Sequence, residues 1–283
     1  MKRTKKFAAC LTLLLVVLAT AVVLAAVEGT TDWGSGSIQV TGVGFGKEKY
    51  KNNMARYLET AHQAARMDAQ RKLAEYVEGV QVYSDMSVAD LALEDARVKT
   101  VLNGVLLRNA VEVGEPVYDE KYGKCTVKME IRMYGGNNSV AAAAFLPFKD
   151  EPKTDFPQPV NATVVNEPTV VNQQYTGLII DCRGMNINCV MSPVIKNADG
   201  AKIYGHENLN YDKIILNGMA AYASDAGDQT SRQRAGSKPL TVKAVRLDDL
   251  NANPVVSVAD ADKILAANAH DRFLDNCAVV FVK

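Results

Sequence analysis

The chain has 283 residues, 48% of them apolar, and its 32 basic side chains are balanced by 32 acidic ones. Without the first 26 residues, which hold four basic side chains and no acidic one, 28 basic face 32 acidic, a net charge of −4. That balance lacks the basic excess a nucleic-acid partner requires, and the length suits two domains of ordinary size.

Lys2, Arg3, Lys5 and Lys6 precede an apolar run from Phe7 to Ala26 that is interrupted by Thr12 and Thr20. A basic start, an apolar stretch and small residues at its end are the layout of a secretory leader. Residues 1–26 are therefore expected to be a signal peptide, cut after Ala25 or Ala26. At about 20 residues the run is also long enough to remain as an uncleaved anchor. Cys10 lies near the start of the run and not at its end, which argues against a lipid anchor. The expected location is periplasmic or secreted, or the inner membrane if the leader stays, and membrane contact is expected only in that second case.

The first domain is expected over residues 36–147. Ile38, Val40 and Val43 predict a strand that ends in the glycine-rich turn Gly42-Val43-Gly44-Phe45-Gly46. Met54, Leu58, Ala61, Ala65, Ala69, Leu73 and Tyr76 recur at three- and four-residue spacing and predict a helix over 53–78. Its small central side chains suit close packing on a sheet, and Gly79 is placed to end it. A short strand over 80–83, a loop with a short helix over 85–104, and two longer strands over 105–118 and 124–134 follow. In the last of these Cys125, Val127, Met129, Ile131 and Met133 share an apolar face, and Thr126, Lys128, Glu130, Arg132 and Tyr134 a wet one. The tip Asp119-Glu120-Lys121-Tyr122-Gly123 makes these two strands a hairpin.

Five of the nine prolines fall between Pro147 and Pro168, so residues 148–172 read as an extended linker. The second domain is expected over 173–283. Leu178-Ile179-Ile180 has the continuous apolar character of a central strand. Strands over 191–196 and 201–204 flank Asn197-Ala198-Asp199-Gly200, a hairpin turn. A short helix over 214–222, strands over 240–246 and 254–256, a helix opened by Ser257 with Asp260 three residues on, and a buried strand over 277–282 complete it. The fold class is α+β: two small domains, each a mainly antiparallel sheet with one or two packed helices, joined by the Pro-rich linker.

No catalytic, cofactor or metal motif stands out. Gly42-Val43-Gly44-Phe45-Gly46 fails the dinucleotide fingerprint because Lys47 stands where the third glycine belongs. The three histidines, His62, His206 and His270, show no ligand spacing, and no Cys-x-x-Cys occurs. Asp181, Arg183 and Gly184 form the most site-like segment, with a strand-end turn as the plainer reading. Export permits disulfides. Cys182 and Cys189 bracket a short polar loop whose closure would contribute about 2–3 kcal/mol, Cys277 could pair with Cys182 instead, and Cys125 reads as a buried thiol.

Gly42-Val43-Gly44, then Ala61, Ala65, Ala69 and Leu73, then Gly79-Val80-Gln81-Val82 resemble the bacterial lipoprotein family typified by the twenty-kilodalton Helicobacter antigen. The same unit is similar to the N-terminal domain of FlgT-type flagellar periplasmic ring proteins. In the second half, the segment from Tyr175 to Gly184, together with Met191-Ser192-Pro193, Gly200 to Gly205 and Asp260 to Ile264, is similar to segments of such exported proteins. The resemblance implies no catalytic residue and no cofactor. The chain departs from it in lacking a lipid-attachment cysteine, and in carrying Cys182 and Cys189 together, which points to a disulfide between them. The implied function is that of a non-catalytic envelope protein acting by protein–protein interaction in flagellar or surface assembly. Its partners would be envelope or flagellar proteins, a homo-oligomer included. The alternative is a periplasmic small-ligand-binding module using a cleft between the domains or the segment around Asp181.

Overall fold

The computed structural model describes residues 28–160 and 174–283. The leader with Ala25 and Ala26, and the later part of the linker, lie outside the described residues. Among the described residues no helix is long and apolar enough to cross a membrane. The fold class is α+β, as expected.

The first half is an antiparallel sheet under one long helix. Strands β1 (Gly29–Asp32) and β2 (Ser37–Phe45) form a hairpin, and β2 pairs along its whole length with a later strand (Lys124–Arg132). Helix α1 (Met54–Glu78) starts where the Asn53 side chain accepts the Arg56 N–H and lies across both long strands. Its buried stripe is Tyr57, Ala61, Ala65, Ala69, Leu73 and Val77. Gly42 and Gly44 face that stripe from β2. A Cβ on Gly42 would run into the Ala65 carbonyl and the Ala69 amide, and one on Gly44 into the Ala61 carbonyl and the Ala65 amide. These glycines thus sit inside a strand, not in the expected turn. They alternate with Val43 on the pleat, so both present bare backbone to the helix. The Val43 N–H, beyond the end of β1, is taken by Asp68 Oδ2 of the helix at 3.0 Å. Burial opposes the Asp68 charge, but that N–H, Lys72 and Arg71 outweigh it and lower the carboxyl to about 2. Gly79 ends α1 as expected, though in the right-handed region at φ −79°.

A small hairpin, β3 (Gln81–Tyr83) and β4 (Met86–Ser87), leads into α2 (Val88–Glu94), capped reciprocally by Ser87 and Asp90. Helix α3 (Ala96–Asn109) follows. It absorbs residues 105–109, expected as strand, because Val98, Leu102 and Val105 bury at helical spacing. Only β5 (Val111–Glu112) and β6 (Val117–Asp119) remain extended, both against β7, the strand Lys124–Arg132. The hairpin into β7 and the alternation along it are as expected. Helix α4 (Val140–Ala144), entirely buried, closes this half.

In the second half, β8 (Gly177–Asp181) is the centre of a four-stranded sheet. Two short strands, β9 (Ile195–Asn197) and β10 (Lys202–Tyr204), form the expected hairpin, with Asn197 Oδ1 accepting the Asp199 and Ala201 amides across its turn. Then come α5 (Tyr211–Asn217), β11 (Ala221–Ala223), α6 (Gln229–Ala235), β12 (Pro239–Lys243), β13 (Arg246–Asp248), β14 (Asn253–Val256), α7 (Val258–Asp271) and β15 (Val279–Val282). The sheet β11-β15-β8-β12 is parallel throughout. This departs from the mainly antiparallel sheet expected of this half. The physical reason lies in β8 itself. Leu178 and Ile180 bury into the main core while Ile179 buries on the opposite face with Val280, Val282, Ala223 and Ala235. A strand apolar on both sides suits a sheet covered on both sides, and α6 and α7 supply the long crossovers that parallel strands need. The second sheet, β10-β9-β14-β13, is mixed.

The halves share one continuous apolar core, from Ile38 and Leu73 through Phe145 to Leu178 and Phe281. Main-chain bonds join them. Met191 and Ser192 donate to Gln81 and Val82, and Gly135 and Gly136 both donate to Ile215. The described part of the linker packs on the second half, with Phe156 stacked on Tyr204 at 6.4 Å. Gly44→Ala is expected to cost about 2–3 kcal/mol by overpacking against helix backbone, whereas Gly79→Ala stays within about 0.5 kcal/mol. Chemical unfolding of the two variants checks the contrast.

Candidate functional site

The segment singled out from sequence sits at the carboxyl end of β8, where parallel sheets commonly present ligands. Its groups, however, are turned on one another. Asp181 accepts the Arg183 N–H at 3.0 Å, Nε at 2.9 Å and Nη2 at 2.7 Å. Arg183 also reaches Asp225 at 3.7 Å, and Gly184 supplies the φ of +80° that the turn needs. The Arg183 hydrogen bonds, offset in part by burial, lower the Asp181 carboxyl to about 2. The arrangement ties off a strand end and leaves no free carboxylate or guanidinium pair to act on a substrate.

The four described cysteines are free thiols, and the expected pairing of Cys182 with Cys189 is not formed. Cys182 is fully buried with its thiol directed at the Ile180 carbonyl, 3.8 Å away. Cys189 lies half-buried beside Lys283 Nζ at 3.8 Å. The two thiols thus follow different neighbours because Cys182 continues the ladder of β8, its N–H bonding Val282, while Cys189 lies in the loop beyond. Burial pushes the Cys182 thiol up to about 12 and that of Cys277 to about 11, so neither is a ready nucleophile. Among the described residues no group of three or more His, Cys, Asp or Glu side chains could hold a metal ion.

His206 follows β10 and packs between the halves. Its ring lies 4.5 Å from Phe148 and 5.9 Å from Tyr83. Burial lowers the imidazole below its ordinary value of 6.5, against the opposing pull of Glu207 and Glu151. The Tyr83 hydroxyl, Ser192 Oγ, His206 Nδ1 and Glu207 Oε2 are buried here without a hydrogen-bond partner among the described residues. His206 Nδ1 lies a long 3.5 Å from Glu207 Oε2, and the Ser192 hydroxyl neighbours that of Tyr83. Nothing in the order of the residues brings Tyr83, Phe148 and His206 together.

Two larger openings lie elsewhere, along the junction of the halves. A groove of about 870 Å³ runs between the β1–β2 turn, the end of β7 and helix α6. A second, of about 760 Å³, lies between the end of α1 and the loop around Cys189. Trp33 borders both. The sequence carries one faint signal of this place: the chain's single tryptophan stands beside the turn Gly34-Ser35-Gly36.

Residues 177–283 match the family model described as Treponema pallidum Tp0624, second domain. The match begins at the first residue of β8 and takes in both sheets of the second half. No curated protein matches the chain.

Two outcomes are expected. In carbon-detected NMR titrations, Arg183→Ala returns the Asp181 carboxyl from about 2 toward 3.8. A neutral buried His206 gives stability that is full above pH 6.5 and declines below it, as the imidazole of the unfolded chain takes up a proton that the folded chain resists. Melting curves between pH 7 and pH 5 are expected to lose that slope in His206→Phe.

Proposed function

We propose that the chain is a non-catalytic, exported cell-envelope protein that works by protein–protein contact in flagellar or surface assembly. The observation that carries this reading is the outer edge of the first sheet. Strands β5 and β6 pair only with β7, and no described strand covers their other side. Val111 and Val117 are 53% and 68% exposed. They oppose Glu130 and Thr126, so they stand on the open, polar face of the sheet. An extended segment of a second envelope protein fits such an edge as an added strand, with main-chain bonds for affinity and Val111 and Val117 for selectivity. Pro116 interrupts the edge and limits the added strand to a few residues. The basic and apolar leader and the resemblance to flagellar ring and lipoprotein families support the same reading.

A second reading, a periplasmic small-ligand-binding module, is favoured by the polar cleft that Trp33 borders.

A photo-crosslinking residue at position 111, introduced in the protein's own cells, is expected to capture an envelope protein. Val117→Lys is expected to abolish that adduct while changing stability by no more than about 0.5 kcal/mol. The absence of any adduct overturns the contact reading.

A further inference from the structure

The two grooves that share Trp33 are taken together as one cleft, because their linings are alike in kind. Three aromatic rings border it: Tyr76, Trp33 and Tyr134. Trp33 is held by an edge-to-face contact with Tyr222 at 5.6 Å, so its ring is fixed before any ligand arrives. The charged groups are largely consumed internally. Asp32 accepts from Ser35 and Gly34, and Glu130 from Gln39 at 2.6 Å. The Arg234 guanidinium donates to the carbonyls of Asn217, Gly218 and Cys277. The side chains of Asn217, Gln233 and Gln81 remain exposed along the walls.

We propose that this cleft binds a neutral, chain-like saccharide. The inference rests on the ligand-binding reading above and names its ligand class. Aromatic rings offer flat apolar faces to the C–H faces of sugar rings, and they stand on both sides of the central tryptophan, as successive units of a chain require. Carboxamides both donate and accept, which matches hydroxyl groups that do the same. A charged ligand gains little from carboxylates and a guanidinium that are already bonded. Arg132 in one groove and Lys283 in the other are the exceptions: both are exposed and neither has an ion-pair partner among the described residues. An anion is therefore the competing ligand that the experiment must separate. Each groove by itself is of the size that encloses a small molecule, so sugar units in both, on either hand of the shared tryptophan, make an oligomer the fitting ligand.

Because Trp33 is the only tryptophan, its emission reports on the cleft without labelling. The full chain is titrated with maltotetraose, cellotetraose and chitotetraose, and separately with citrate and inorganic phosphate. At least one tetrasaccharide is expected to change the emission saturably, with a dissociation constant of about 1 mM or tighter. Gln233→Ala and Asn217→Ala are each expected to weaken that binding about fivefold, with unchanged melting temperature. A response to the anions alone overturns the saccharide assignment and leaves the ligand-binding reading standing. No response to any probe overturns both. A saccharide response that neither variant alters places the binding elsewhere and overturns the cleft as its site.

Discussion

The close approach of helix α1 to strand β2 governs the first half of the molecule. Helix backbone rests on strand backbone because Gly42 and Gly44 have no side chain and Ala61, Ala65 and Ala69 have almost none. Dispersion contacts between such close surfaces are dense, and they tolerate little change in volume. The approach also sets the rest of the sheet. With α1 seated on β2 and β7, the alternate residues Cys125, Val127, Met129 and Ile131 must turn toward it, and Lys128 and Arg132 toward water. Asp68 adds a directional element, taking a strand amide that has no ladder partner and fixing the helix along its own axis.

The second half uses the same device once more. Gly177 begins β8 directly against Ala235 of α6, where an added Cβ would strike the helix backbone. That contact covers one face of the parallel sheet, while the common core covers the other. Burial on both sides leaves no face of this sheet free for recognition. The places the packing does not cover are the outer edge at β5 and β6, the carboxyl ends of the parallel strands, and the cleft between the halves. At the strand ends Asp181 and Arg183 satisfy each other. The edge and the cleft remain, and they differ in kind. The edge offers main-chain groups and valines, whereas the cleft offers rings and carboxamides.

Much of the fold was legible because it is local. The alternation of β7, the alanine stripe of α1, the Asp199-Gly200 hairpin and the Ser257 cap each depend on residues within a few positions of one another. The errors fall where distant partners decide. The glycines of β2 read as a turn because their reason, the backbone of α1, lies beyond the strand itself. Residues 105–109 have the composition of a strand and become helix because Val98, Leu102 and Val105 need a common apolar partner. The site was less legible than the fold. Asp181, Arg183 and Gly184 were visible as a segment, but not that they close a turn on themselves.

The sequence by itself determined the α+β class, the helix and hairpin positions with the strongest periodicity, and the absence of any recognisable catalytic motif. These follow from spacing and from the chemistry of single side chains. Only the tertiary structure decided that the second sheet is parallel, that Cys182 and Cys189 are free, and that Trp33 stands in a cleft beside Tyr76 and Tyr134. Strand direction depends on how long connections pass over a sheet, and thiol pairing on where two backbones end up. A cleft is the space left between surfaces far apart in the chain, so no local pattern encodes it.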